Sequence, residues 1–329
     1  MNLSRKFLSL ATFGIVQRPS AASAENTTFN PLAGIQQFPI SSYAGNMTRL
    51  APVVSISHGG GPMPLLGDPS HAGIIKSLQN RVPKILKLGT SEQPKAIVLV
   101  TAHWSTDKVT ISSGPRHELL YDYYGFPDEA YKFTHNAPGS PEVANEVEKA
   151  LKEAGIECAK DAQRGWDHGV FVPMKLIDPK ARIPIVQLSV LASESASQSF
   201  AIGRALSALR AQNIAIVGSG FATFHNLRLM FSGASSTPDF KQKNLEWSNA
   251  VNDAAMTGEA KSRGAKFEGW RNWPNSYTMH PRGGAEHFLP LIVCAGAGGE
   301  TVGRRYADDF QRMDMWSYYW DEEALSEKS

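Results

Sequence analysis

Four short runs, each almost unbroken in hydrophobicity, most constrain what this chain can become: 52–57 (PVVSIS), 96–101 (AIVLVT), 183–190 (IPIVQLSV) and 214–218 (IAIVG). A strand wetted on one face alternates apolar and polar residues. Unbroken, β-branched runs belong to strands covered on both faces, as in the parallel sheets of α/β proteins. Helical patterns lie between them. The stretch 141–154 has Ser140 as N-cap, Pro141 at its first helical position and Gly155 to end it. Stretches 198–211 and 239–262 also carry helical periodicity. The alternation predicts an α/β fold: a single layered domain over 51–320, with a mostly parallel central sheet flanked by helices. In such a sheet, ligands bind outside the carboxyl ends of the strands.

Composition removes several function classes. The 33 basic and 31 acidic side chains leave a net charge of +2, and no dense Lys/Arg cluster stands out, so a nucleic-acid partner is not expected. No apolar run approaches the roughly 18 residues of a membrane span. Cys158 and Cys294 are too few for a disulfide framework or a Cys-rich zinc site. Residues 1–50 form an N-terminal extension with Arg5, Lys6, Arg18 and Arg49 but a single acid, Glu25. Its opening suits a mitochondrial presequence or an extension without address, hence a mitochondrial or cytoplasmic protein. A secretory signal, with residues 7–16 as apolar region and 21–24 as cleavage site, is the lesser rival; the sequons at Asn26 and Asn46 would then be usable. Residues 321–329 are expected to form an acidic, frayed tail.

Histidines sit where the chemistry of such a sheet should be. The first run leads directly into His58, the second into His103, and the fourth through Ser219 and Phe224 to His225. A fourth histidine, His287, precedes an apolar helical stretch at 285–296. One histidine alone is more often a buried structural residue than a ligand. Several delivered to one sheet edge by the same topology point instead to a shared metal, and neutral imidazoles suit zinc, iron, copper or nickel. In 165–173 (GWDHGVFVP), Asp167 could orient an imidazole such as that of His168. In 279–285 (MHPRGGA), Arg282 is a candidate for holding a substrate carboxylate beside His280. Trp104, Phe126 and Trp166 are candidate apolar neighbours of the site. The glycines after His58 lack the pattern of a phosphate loop, and Gly218-Ser219-Gly220 is not the elbow of a serine nucleophile.

Eight strings, in order, then carry a resemblance: SHGGGPMPLL (57–66), TAHW (101–104), GFPDEAYKF (125–133), APGSPEVA (137–144), WDHGVFVPMKLI (166–177), IPIVQLSV (183–190), GSGFATFHNLR (218–228) and EHFLPLIVCAGA (286–297). Residues 52–300 resemble the class III extradiol ring-cleaving dioxygenases of the LigB type, nearest the DOPA 4,5-dioxygenase-like branch. The resemblance implies a nonheme enzyme that opens a catechol ring beside its two hydroxyls with O2. It implies Fe(II) for activity, with Zn(II) possible at the same site. His58, His103 and His287 match the metal ligands. His225 matches the acid/base beside the metal, which can itself coordinate, and His168 a histidine that handles the substrate hydroxyl. Relatives that cleave protocatechuate have a glutamate as third ligand, so Glu286 stays open as a donor. The implied substrate is DOPA-like or another 4-substituted catechol. Two other readings use the same residues: a zinc hydrolase that activates water, and a non-catalytic, metal-free binding member of the superfamily.

Overall fold

A computed structural model describes residues 49–321. The expected extension, apart from Arg49 and Leu50, and the tail beyond Asp321 lie outside the described residues. Asp321 itself is buried and accepts from the Arg49 guanidinium.

Eight strands make one sheet: β1 (Val53–Ser57), β2 (Ala96–Thr106), β3 (Val109–Ser112), β4 (Cys158–Asp161), β5 (Ile185–Leu191), β6 (Ile214–Gly220), β7 (Arg304–Phe310) and β8 (Met313–Trp320). Their order is β4-β3-β5-β2-β6-β1-β8-β7. The four apolar runs are its centre, β5-β2-β6-β1, and every pairing among them is parallel. All residues of β1, β5 and β6 are buried. Fully burying each such aliphatic side chain contributes roughly 1.5–3 kcal/mol, so the centre of the sheet is also the centre of stability. Outside this centre β8 pairs antiparallel with β1, β7 with β8 and β3 with β5, while the edge strand β4 lies parallel to β3. The β7–β8 hairpin turns on Gln311 and Arg312, both in the left-handed region (φ 55 and 64). Such turns match strand twist but usually carry Asn-Gly, so this one gives little signal in sequence.

Six longer helices cover the faces: α1 (Pro141–Glu153), α2 (His168–Ile177), α3 (Ala196–Leu206), α4 (Pro238–Ala255), α5 (Ala260–Glu268) and α6 (Leu289–Ala297). Ser140 caps α1, accepting from the Val143 N–H at 3.2 Å. The single helix expected over 239–262 is two helices. The chain breaks near Gly258, a poor helix former. The buried Arg263 guanidinium binds the Thr257 and Gly258 carbonyls there. The helix expected over 198–211 ends at Leu206 and continues as a tighter 3-10 turn.

Strand β2 runs longer than expected and is irregular. Val100 pairs with Leu188 and Ser105 with Val190, so β2 advances five residues while β5 advances two. His103 lies in that surplus, within the strand rather than just after it.

Candidate metal centre

His58 is the first residue after β1, His103 occupies the bulge of β2, and His225 follows β6. These three strands are neighbours at the centre of the sheet. His287 reaches the same place from the turn before α6. That turn docks on β6 through the Phe221 N–H, which donates to the His287 carbonyl at 2.9 Å. Two glycines allow the approach. A Cβ on Gly220 would stand 2.3 Å from the His287 carbonyl oxygen, and one on Gly218 would stand 2.6 Å from the Pro290 carbonyl oxygen. The Gly-Ser-Gly string therefore seats a helix against a strand.

The Nε2 atom of His103 lies 3.2 Å from Nε2 of His58 and 3.2 Å from Nε2 of His287. Two of the three rings are held by the nitrogen on their other side. The Ser219 hydroxyl donates to the Gly169 carbonyl, so it must accept from His58 Nδ1, 2.9 Å away. The Glu286 carboxylate accepts from His287 Nδ1 at 3.0 Å. Both imidazoles therefore carry their proton on Nδ1 and turn a bare Nε2 lone pair toward His103. Behind His103, an Asp122 oxygen faces Nδ1 at 3.6 Å. A proton on His103 Nε2 could satisfy only one of its two contacts. A cation satisfies all three lone pairs. Nitrogens bound at about 2.1 Å to one ion are about 3.0 Å apart in octahedral and 3.4 Å apart in tetrahedral arrangement, and 3.2 Å lies between. The donor set fits a divalent transition metal.

Electrostatics agree with that reading. Burial first, and then the neighbouring imidazoles, hold His58, His103 and His287 well below the ordinary histidine range, so all three are neutral donors at pH 7. Two further histidines complete the cluster. His225 stacks on His287, with ring centroids 3.4 Å apart and planes 18° from parallel. Its Nδ1 stands 3.9 Å from Glu286, and burial followed by His168 pushes its pKa down to about 3. His168, at the start of α2, packs against His103 with centroids 3.8 Å apart. Groups able to hold a metal ion form two sets with donor atoms within 4.8 Å of one another: His58, His103 and His168, and His225, Glu286 and His287. The His103–His287 contact joins them into one site.

The bulge that carries His103 is clamped from α2. Asp167 is fully buried and accepts from Thr101 Oγ1 (2.7 Å), Gln187 Nε2 (2.7 Å) and Arg164 Nη2 (3.0 Å). Thr101 Oγ1 accepts the His103 N–H, and Arg164 donates to the His103 carbonyl. Asp167 was expected to orient an imidazole; it orients the backbone of one instead, because its carboxylate is saturated by these donors. The carboxylate that meets an imidazole is Asp122, bonded to His168 Nδ1 at 2.8 Å. Burial opposes ionisation of Asp122, but the hydrogen bonds from His168 outweigh it and hold the carboxyl below its usual range. Asp122 escaped the sequence reading because it stands 46 residues from its partner in a stretch without periodicity.

Of the other candidates, His280 is a core residue, packed among Trp247, Trp270 and Phe288, with Nε2 against the Ala222 carbonyl. Arg282 is exposed and donates to the Tyr277 hydroxyl. Trp166 is wholly buried, Trp104 lies under the Arg164 guanidinium, and Phe126 lines the turn at Gly61.

A family model described as the catalytic LigB subunit of aromatic ring-opening dioxygenase matches residues 52–318. The chain belongs to the LigB family. It is accordingly a ring-cleaving dioxygenase, an oxidoreductase whose co-substrates are a small molecule and O2, in a family whose dioxygenases use a metal. The dioxygenase tasH of Hapsidospora irregularis is 50% identical over 287 residues, covering 84% of this chain and 87% of that protein. The 4,5-DOPA dioxygenase extradiol of Beta vulgaris is 34% identical over 261 residues, covering 78% and 90%. An uncharacterised Escherichia coli K12 protein of known structure superposes with TM-score 0.61 at 28% identity, covering 82% of this LigB-family chain and 99% of its own. No helix among the described residues is long and apolar enough to cross a membrane.

Proposed function

We propose that this dioxygenase opens the ring of a catechol, DOPA-like or otherwise 4-substituted, beside its two hydroxyls. His58, His103 and His287 hold the metal, Fe(II) for turnover, with Zn(II) able to occupy the same donors. The observation that carries the reading is the meeting of Nε2 atoms, two of them from rings protonated and anchored at Nδ1. A metal bound there lowers the pKa of a coordinated hydroxyl and carries the oxygen chemistry. The residues around it move protons. His225 is neutral at pH 7, since burial keeps its pKa low, and it can take a hydroxyl proton and return one later. Its ring stacks face to face on His287 with Nδ1 toward Glu286, which favours acid/base work over coordination. His168, with Nδ1 engaged by Asp122, offers Nε2 as a second acceptor. Glu286 is occupied at the Nδ1 side of His287, which favours an orienting role over that of a ligand.

Oxygen uptake by protein loaded anaerobically with Fe(II) tests this, with DOPA and then simpler catechols, while absorbance tracks a yellow ring-opened semialdehyde. Uptake matched by that product is the expected result. No uptake across the panel, with the metal retained, would count against a catechol as the substrate. In the same assay His225→Ala should keep most of its bound metal and lose ring cleavage by about 10²-fold or more. Loss of the metal along with activity would make His225 a ligand.

A further inference from the structure

A carboxylate on a loop outside the sheet governs one of the site's histidines. Asp122 Oδ1 accepts twice from the same residue, from His168 Nδ1 at 2.8 Å and from the His168 backbone N–H at 2.9 Å. The second bond matters to the helix. His168 is the first residue of α2, and its N–H is one of the donors a helix start leaves without an internal partner. Asp167, at the capping position, makes no side-chain cap bond because its carboxylate serves the β2 bulge. Asp122 supplies the missing acceptor from 46 residues earlier, where the helix dipole also favours a negative charge. Its other oxygen faces His103 Nδ1 at 3.6 Å. The same loop brings aromatic rings to His168: Tyr123 at 5.9 Å between centroids, and Phe126 packed on Tyr123 at 5.5 Å. Tyr123 is tied down through its hydroxyl to the Ala130 carbonyl, so the loop is braced from within.

We propose that Asp122 is a positioning residue for ring cleavage, holding His168 as the Nδ1–H tautomer so that Nε2 is the nitrogen that takes the substrate's proton. The consequence for catalysis rests on the catechol cleavage proposed above; the geometry does not. A neutral imidazole free in water favours the Nε2–H form, which would present a donor where the reaction needs an acceptor. Anchoring ring and helix start to one oxygen leaves His168 neither a free rotation nor a free choice of tautomer.

Nitrogen NMR of ¹⁵N-histidine-labelled, metal-free protein reads the tautomer directly, and steady-state kinetics of the Fe(II)-loaded enzyme with a catechol reads its consequence. Wild-type His168 should be the Nδ1–H form, and D122L should shift it toward Nε2–H. D122N, which can still accept but has no charge, should fall between. In D122L, kcat should drop about 10- to 100-fold with KM and bound metal within about twofold of wild type. A purely structural role would lower metal content and Tm together with kcat. Wild-type His168 found as Nε2–H, or D122L with unchanged kcat, overturns the proposal. Should D122L fail to fold, D122N decides, and a wild-type kcat there counts against Asp122. If wild-type protein cleaves no catechol, the catechol proposal falls, and the tautomer alone judges Asp122.

Discussion

At the scale of single residues, the site depends on groups that never face a substrate. Ser219 accepts from His58 only because its own hydrogen is taken by the Gly169 carbonyl, and that chain of two bonds decides which nitrogen of His58 is bare. Removing the hydroxyl leaves the ring free to turn and to protonate at Nε2. We expect Ser219→Ala to fold normally and to bind metal about 10- to 100-fold more weakly, as measured by competition with a chelator of known affinity. Wild-type affinity in that variant would mean that packing against Phe221, 5.2 Å away edge-on, suffices to hold the imidazole.

At the scale of elements, the histidines converge because β6 and α6 lie unusually close. Gly218 and Gly220 stand where any side chain would strike the backbone at the start of α6. The contact of α6 with α3 repeats the device. A Cβ on Gly203 of α3 would be 1.9 Å from the Val293 carbonyl oxygen, and one on Gly296 would be 2.2 Å from the Phe200 carbonyl oxygen. Glycines thus let α6 pack closely on both β6 and α3, and His287 is carried at its entrance. Gly220→Ala should push the His287 turn outward. We expect a loss of about 1–3 kcal/mol in stability by urea titration and a metal stoichiometry well below that of wild type. An alanine that left the metal content intact would show that His287 is held by its neighbours rather than by the helix.

Across the whole molecule, folding buries histidines that must stay neutral. Burial lowers the pKa of His280 to about 3 and that of His135 to about 4. Unfolding restores both to the ordinary value near 6.5, so the unfolded chain binds more protons below that pH. Stability is therefore full above about pH 6.5 and falls as pH drops toward 4, by about 1.4 kcal/mol per pH unit for each group. A urea midpoint that is lower at about pH 5 than at pH 7.5, with a smaller difference in His135→Gln, is the expected outcome. The sheet that creates this burial was legible residue by residue, because its four central strands are covered on both faces and must be continuously apolar. For the same reason His58, His103 and His225 could be named as neighbours, because adjacent parallel strands carry their carboxyl ends to one edge; His287 enters instead from the turn before α6, where no strand delivers it. The antiparallel edge strands were not legible, since β7 (RRYADDF) is mostly charged and its turn lacks Asn-Gly. Nor were the bulge that holds His103, the saturation of Asp167, or the bond from Asp122 to His168. Local sequence determines which residues prefer strand or helix and which chemistry they bring. Which carboxylate meets which imidazole depends on distances between segments far apart in the chain, and only packing of the finished fold decides those.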